Sequence, residues 1–288
     1  MNKIFNFNFN LIISKVTPFI EILKLKGSSI DIAITLITCS ILNQIDFRAG
    51  MLLFCGMMIH SGGDIINDIY DRHIDKICKP NSPIVSGRMS VRTAWVYLGI
   101  LYLTAILIAS LLNYICAGLS ILGIIIGGFL YSHPKYRVKD HPVFSIASCA
   151  LCFALEPIAI WSIYAPVTID TLLISFYVFT LTFSLIFFKD FRDVKGDSNS
   201  LPLMLGVKKA ARFVCVLSLL PVLPMIFLFF LYKTVGLILA IIVYGLIAIS
   251  AIHILLNDPV THGNKLKNRM FLMIFAPSFT LFLMTFFF

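Results

Sequence analysis

The 288-residue sequence predicts an all-α protein, a polytopic membrane helical bundle of about nine transmembrane helices, and three observations lead there. Hydrophobic residues make up 59% of the chain and charged residues only 13%, against about 25% charged in a soluble domain. The mean hydropathy is +0.95, and the apolar residues lie in long separate blocks, which marks membrane spans and not one oversized core. The basic residues, finally, collect on alternate sides of those blocks.

The blocks cover 29–46, 48–67, 93–112, 115–132, 142–163, 169–188, 211–231, 235–256 and 268–288. Each is near the ~20 residues a helix needs to cross about 30 Å of hydrocarbon. Residues 1–28 read as a cytosolic or interfacial leader, apolar but studded with Asn and without a small-residue cleavage site. No soluble domain, internal repeat or long linker is left over, so 1–288 reads as a single membrane-embedded domain. With the N-terminus in the cytosol, only Arg48 and Lys233 of the 23 basic residues fall outside cytosolic segments. The positive-inside rule therefore sets the orientation, and an integral protein of a bacterial cell membrane is expected. The formal charge of +9 is a topology signal, and a nucleic-acid partner is not expected. Seven cysteines are scattered along the chain; Cys149-x-x-Cys152 has metal-site spacing but sits mid-span without a partner pair, and reads as packing.

Acids are scarce, 14 in all, yet half of them occupy two short stretches. Asp64, Asp68, Asp71 and Asp75 close the second block, and Asp190, Asp193 and Asp197 close the sixth. At helical spacing, Asn67, Asp68, Asp71 and Asp75 share a sector about 100° wide, and Asp190, Asp193 and Asp197 one of about 60°. Carboxylates crowded at a membrane boundary repel unless cations neutralise them. Oxygen-only donors favour Mg²⁺, which binds through one or two carboxylates plus substrate phosphates. Two such patches facing each other would hold Mg²⁺ on a diphosphate, neutralise it as a leaving group and let an allylic C–O bond ionise. The bland alternative is a pair of solvated acidic helix ends.

These residues resemble a known family. Asn67-Asp68-x-x-Asp71-x-x-x-Asp75 is similar to the N-D-x-x-D-x-x-x-D motif of UbiA-type intramembrane prenyltransferases, and Asp190-x-x-Asp193-x-x-x-Asp197 to their second aspartate motif. Lys79-Pro80-x-x-Pro83-x-x-x-Gly87-Arg88-x-Ser90 resembles the segment that follows the first motif, with Lys79 as a departure. Tyr131-Ser132-x-Pro134-x-x-Arg137-x-Lys139 resembles a segment of the homogentisate and chlorophyll synthase branch, with Lys135 and Val138 departing from it. The second acidic stretch is also similar to that of archaeal ether-lipid enzymes. The resemblance implies a bundle around a central cavity, with Asn67, Asp71, Asp190 and Asp193 on Mg²⁺ and Asp68, Asp75 and Asp197 completing the sites. It implies Arg72, Tyr131, Arg137, Lys139 and Lys189 as substrate contacts, with Arg72, Lys139 and Lys189 on diphosphate oxygens. The implied partners are an isoprenoid diphosphate donor, an aromatic or lipid acceptor, and the bilayer. The implied reaction is transfer of the prenyl group with release of pyrophosphate. A membrane terpene cyclase, which quenches the cation internally, is the alternative.

Glu156 stands alone in the fifth block, where a lipid-facing carboxyl costs about 2.5–3.5 kcal/mol. It either serves the chemistry, orienting the acceptor or stabilising the allylic cation, or makes a helix–helix hydrogen bond beside Pro157. His133 and His141 flank the fourth cytosolic loop as possible bases, whereas His60 and His253, inside spans, read as helix–helix hydrogen bonds. A transporter is disfavoured because the acids sit at span ends and not at mid-bilayer. An odd number of spans puts the two termini on opposite faces. A reporter fused after Phe288 is expected on the face opposite the N-terminus; activity on the same face would mean a miscounted span.

Overall fold

The computed structural model describes residues 9–194 and 199–287, and those residues are built from helices. After α1 (Phe9–Glu21) come α2 (Ser29–Leu42), α3 (Phe47–Cys78), α4 (Val91–Leu112) and α5 (Tyr114–Gly123), which runs on as a π-helical segment, Ile124–Leu130. A 3₁₀ turn (Val138–Asp140) leads to α6 (Pro142–Tyr164), α7 (Ile169–Ile186), α8 (Phe188–Asp193) and α9 (Leu201–Leu205). The chain ends with α10 (Val207–Leu217), α11 (Val222–Tyr232), α12 (Val235–Asn257) and α13 (Gly263–Met284).

Every apolar block is helical, but not every block is one full-length span. Six stretches are long and apolar enough to cross a membrane: 47–77, 91–112, 142–164, 169–193, 207–232 and 235–257. The shorter apolar helices are Ser29–Leu42 and Tyr114–Leu130, while α13 begins among Lys265, Lys267 and Arg269. About nine is thus the number of apolar rods. Local chemistry explains the breaks: Pro221 and Pro224 part α10 from α11, since proline cannot donate to the preceding turn. At the other extreme, α3 is 32 residues long, about 48 Å, so its last turns project past the hydrocarbon and carry the first acidic stretch outward.

Caps fix the ends away from the acids. Asn113 accepts from Cys116 N at 2.8 Å to start α5, and its Nδ2 donates to Ser162 O on α6 at 3.0 Å. Asp46 caps α3 by accepting from Arg48 N at 2.8 Å, while Tyr164 donates to it at 2.7 Å. Arg48, one of the two basic residues outside the positive-inside pattern, thereby has an acid partner at 2.8 Å and an aromatic face 4.8 Å away. On α4, Ile100, Leu103, Leu107 and Leu111 are exposed while Leu98, Leu101, Ala105 and Ala109 are buried, the stripe of a helix with one face to lipid and one to protein.

Two apolar cores result. One joins α2, α6, α7 and α10–α13; the other joins the end of α1 with α3, α4, α5 and the far part of α6. Between them lies a cavity of about 830 Å³. Close approach near its wall depends on glycine. A Cβ on Gly62 of α3 would lie 2.1 Å from Tyr102 Cε1, and one on Gly128 would lie 2.6 Å from Tyr102 Oη. Gly62→Ala is therefore expected to destabilise the detergent-solubilised protein by about 1–3 kcal/mol through overpacking. Pairing it with Tyr102→Ala should return part of that loss. A melting temperature unchanged in Gly62→Ala would refute this packing.

Candidate active site

The outward end of α3 sorts its oxygens into two neighbouring faces, each met by lysines from other segments. Asp68 and Asp75 are buried, at 3% and 4% exposure. Lys24, from the turn between α1 and α2, reaches Asp68 Oδ1 at 2.7 Å and Asp64 Oδ1 at 3.6 Å. Lys79, just past the end of α3, meets Asp75 at 3.2 Å and Asp68 at 3.9 Å. Burial pulls the Lys24 ammonium down, but Asp64 and Asp68 outweigh it and hold its pKa above the usual lysine value. On the adjacent face Lys139 Nζ sits 2.7 Å from Asn67 Oδ1 and 2.5 Å from Asp71 Oδ1, and Arg137 is 3.7 Å from the same Asp71 oxygen. Arg137 itself forks onto Asp140. For Lys139 burial wins over the pull of Asp71, and its pKa falls below the usual lysine value.

The second stretch lies on α8, a short helix set off from α7 at Phe187. Asp190 is buried, and Asp193 is forked by Arg192, with Nη2 2.6 Å from Oδ2. Gly263 opens α13 directly over this backbone, where a Cβ would come within 2.4 Å of Arg192 Cα. The absence of a side chain there is what lets α13 press α8 into place. Lys267, on the first turns of α13, has its pKa lowered by burial and then by Arg192, with Lys189 and Lys26 adding to the effect. Lys26, Lys189, Arg192 and Lys267 thus act on one another near the start of α13.

Of the residues expected at the site, Asn67, Tyr131, Glu156 and Lys189 line the cavity. Asp68, Asp71, Asp75, Arg137 and Lys139 form the ion-pair layer beside Asn67, while on α8 Asp190 lies between the lining residues Lys189 and Arg192 and Asp193 follows them. Arg72 is exposed and is not part of the lining; Asp197 lies outside the described residues. Lys24, Asp31, His60, Arg192 and Lys267 also line the cavity and were missed as site residues. Asp31 carried a readable signal, an acid inside the first apolar block, of the same kind that singled out Glu156. His60 does bridge helices, with Nδ1 3.0 Å from Asp31 Oδ2 of α2. Glu156 accepts from Thr35 Oγ1 at 3.2 Å.

Among the described residues, no three His, Cys, Asp or Glu side chains are gathered as a ready metal site. The oxygens nevertheless fit a hard cation. Asn67 Oδ1 and Asp71 Oδ1 already converge on one cation, the Lys139 ammonium, and buried Asp71 Oδ1 has no donor aligned on it as a hydrogen bond. Below this mouth the wall turns apolar through Leu52, Ile59, Leu119, Phe153 and Ala159.

A cation-rich mouth above an apolar pocket, inside a membrane bundle, defines an enzyme for amphiphiles with anionic heads. The chain belongs to the UbiA prenyltransferase family, whose model matches residues 35–286, and it is an integral membrane prenyltransferase. The digeranylgeranylglyceryl phosphate synthase of Methanosphaera stadtmanae is 25% identical over 261 residues, 88% of this chain and 94% of that protein. The synthase of the same name from Pyrococcus horikoshii is 31% identical over 219 residues, 72% of this chain and 74% of its own. The fold is shared with a UbiA homolog from Archaeoglobus fulgidus solved with GPP and Mg²⁺, at a TM-score of 0.71 and 21% identity over 92% of this chain and 99% of that one.

Lys139 competes for the oxygens a metal needs. Lys139→Gln is expected to tighten Mn²⁺ binding, measured by electron paramagnetic resonance without diphosphate, by about tenfold. That is about 1.4 kcal/mol, modest beside the roughly 4 kcal/mol between unit charges 4 Å apart near a protein surface. Unchanged Mn²⁺ affinity would mean that the Asn67–Asp71 pair is not the metal's seat.

Proposed function

We propose that this chain transfers a prenyl group from an isoprenoid diphosphate to a hydroxyl of a lipid acceptor, with Mg²⁺ as its divalent ion and pyrophosphate as the second product. The observation that carries this reading is the Lys139 ammonium held between Asn67 and Asp71 at the mouth of an apolar cavity. An anion-binding mouth takes the diphosphate, and the apolar depth takes the prenyl chain. Support for a lipid acceptor comes from the relatives, whose name joins two geranylgeranyl groups to a glyceryl phosphate. The acceptor we infer is a monoalkyl glyceryl phosphate with a free hydroxyl. Cations on both walls, among them Lys24, Lys26, Lys189, Arg192 and Lys267, suit two anionic heads better than one. Polar groups within the cavity, Asp31, His60 and Glu156, favour an acceptor site over the lining of a cyclase.

In this reading Asn67 and Asp71 on α3, with Asp190 and Asp193 on α8, hold Mg²⁺, and Asp197 completes the set. Bound there, the metal neutralises the leaving diphosphate. Lys139 and Arg137, drawn off Asp71, turn to the diphosphate oxygens, as do Lys189 and Arg192 from the other wall; fixed donors at developing charge lower the barrier. Tyr131 lines the pocket beside the reacting carbon, and the apolar depth excludes water from the allylic cation. Residues 1–288 act as one membrane-embedded domain, with the leader 1–28 tied to it by Lys24. We place it in a prokaryotic cell membrane with the N-terminus and both acidic stretches cytosolic, supported by the distribution of basic residues.

Asp71→Asn and Asp190→Asn are each expected to lower turnover about 10²–10³-fold, the effect of losing one transition-state electrostatic contact. The double variant should fall far short of the product, since both residues serve one ionisation. Pyrophosphate release and mass spectrometry of the lipid product read the outcome. Near-normal turnover in either variant, or activity that survives EDTA, would leave the acids as solvated helix ends.

A further inference from the structure

Transfer to a hydroxyl releases a proton, and within an apolar cavity that proton needs a named destination. This inference rests on the reading of the cavity as the site of prenyl transfer to a hydroxyl. The carboxylates and imidazole on the cavity wall are Asp31, His60, Asp64 and Glu156, with Glu21 at the rim. Glu21 is tied to Arg88 at 2.7 Å and Asp64 is within 3.6 Å of Lys24. Glu156 is engaged by Thr35, and Asp31 by His60. His60 is the one imidazole in this set, and its Nε2 has no hydrogen-bond partner among the described residues.

The geometry points to His60, oriented by Asp31, as the base that takes the proton of the acceptor hydroxyl. Asp31 is 3% exposed and receives Nδ1 of His60 at 3.0 Å. In the neutral ring, a carboxylate on Nδ1 selects the tautomer whose lone pair is on Nε2. Nε2 faces Gly27, where a Cβ would lie 2.9 Å from that nitrogen and 3.0 Å from Cε1. Glycine at 27 is therefore the notch that keeps the basic nitrogen open. Phe153 stands edge-on to the imidazole, 5.4 Å between centroids, and fixes its plane from α6.

Depth along α3 agrees. His60 is one turn below Asp64 and seven residues below Asn67, about 6 and 10 Å along the helix axis. A donor held by its diphosphate at Asn67 hangs its first carbon toward this level. The charged groups that face His60 are Asp31 from α2, Asp64 on α3 itself, Glu156 from α6 across Gly56, and Lys24 from the turn before α2. In the step, the donor C1–O bond breaks and its electron pair leaves with the diphosphate. A lone pair of the acceptor oxygen forms the new C1–O ether bond, and the hydroxyl proton goes to Nε2. The resulting imidazolium stays paired with Asp31 until it gives its proton to water at the mouth.

The test uses the full-length protein in detergent micelles, with geranylgeranyl diphosphate and a mono-O-alkyl glyceryl phosphate. His60→Ala is expected to lower kcat for transfer about 10²-fold, the low end for loss of a general base, with the donor KM little changed. Added imidazole should restore part of that rate, and substituted imidazoles should rescue more as their basicity rises. Gly27→Val, which covers Nε2 but keeps the base, should lose transfer without rescue. His60→Asn, which keeps a side-chain donor for Asp31, separates chemistry from folding and should stay as slow as His60→Ala. Transfer within about twofold of wild type in His60→Ala or His60→Asn would overturn the assignment. So would a loss in His60→Ala that imidazole leaves untouched, or a His60→Asn that recovers wild-type turnover. Wild-type protein that releases no pyrophosphate from this pair would remove the transfer reading and this inference with it; wild-type transfer with His60 variants equally fast removes only the inference.

Discussion

Everything at the mouth of this bundle follows from one electrostatic constraint: acids packed on a few helical turns at a membrane boundary must be neutralised. Carboxylates a turn apart near a protein surface repel by several kcal/mol, and burial removes the water that would screen them. Asp68 and Asp75 are almost fully buried, so their partners cannot be optional. Asp68 and Asp75 are met by Lys24 before α2 and Lys79 after α3, and Asp71 is met by Lys139 from the 3₁₀ turn. Each ion pair also staples a loop to α3. The cluster that serves the chemistry therefore organises the loops around it, and the leader is drawn into the site through Lys24.

The second constraint is steric. A cavity wide enough for an amphiphile leaves little room for the helices around it, and glycine sits where backbones or rings must approach. Gly62 and Gly128 admit Tyr102 between α3, α4 and the π segment, Gly27 clears His60, and Gly263 lets α13 lie on the backbone of α8. The last two have different consequences. A side chain at 27 would cover the end of the His60 imidazole; one at 263 would meet the main chain of Arg192, which cannot yield without moving the second acidic stretch.

Much of this was legible in the sequence because it is local. Helical spacing alone put Asn67 beside Asp71, and the block lengths foretold the rods. Pairings across the fold were not legible: Lys24 lies 44 residues from Asp68, and Lys139 lies 72 from Asn67. No pattern in either segment distinguishes these lysines from the other cytosolic ones. Glu156 stood out as an acid in an apolar block, and Asp31 met the same criterion, yet only the tertiary fold reveals that α2, α3 and α6 bring Asp31, His60 and Glu156 to one wall. Breaks inside the spans were hidden for another reason. The parting of α7 from α8 at Phe187 and the π turn at Ile124–Leu130 leave the hydropathy profile unchanged, because the residues at each stay apolar.

The lysines that neutralise the acids also set the terms on which a metal would enter. A site of bare carboxylates would repel itself apart, and one closed by strong ion pairs would refuse a metal. Lys139 lies between these limits. Its burial holds its pKa below the usual lysine value even beside Asp71, so its charged form is less favoured than that of Lys24, whose acids raise its pKa. In the proposed reading the face of α3 that would open to a metal, Asn67 and Asp71, is the one met by Lys139, while Asp68 and Asp75 are met by Lys24 and Lys79. In the proposed reading a magnesium–diphosphate pair would bring its own negative charge, so an ammonium displaced from Asp71 would find a new partner close by. Such an exchange of partners at Lys139 would keep the number of unpaired charges constant through binding, which is the condition for admitting a highly charged ligand at the edge of a bilayer without a large desolvation cost.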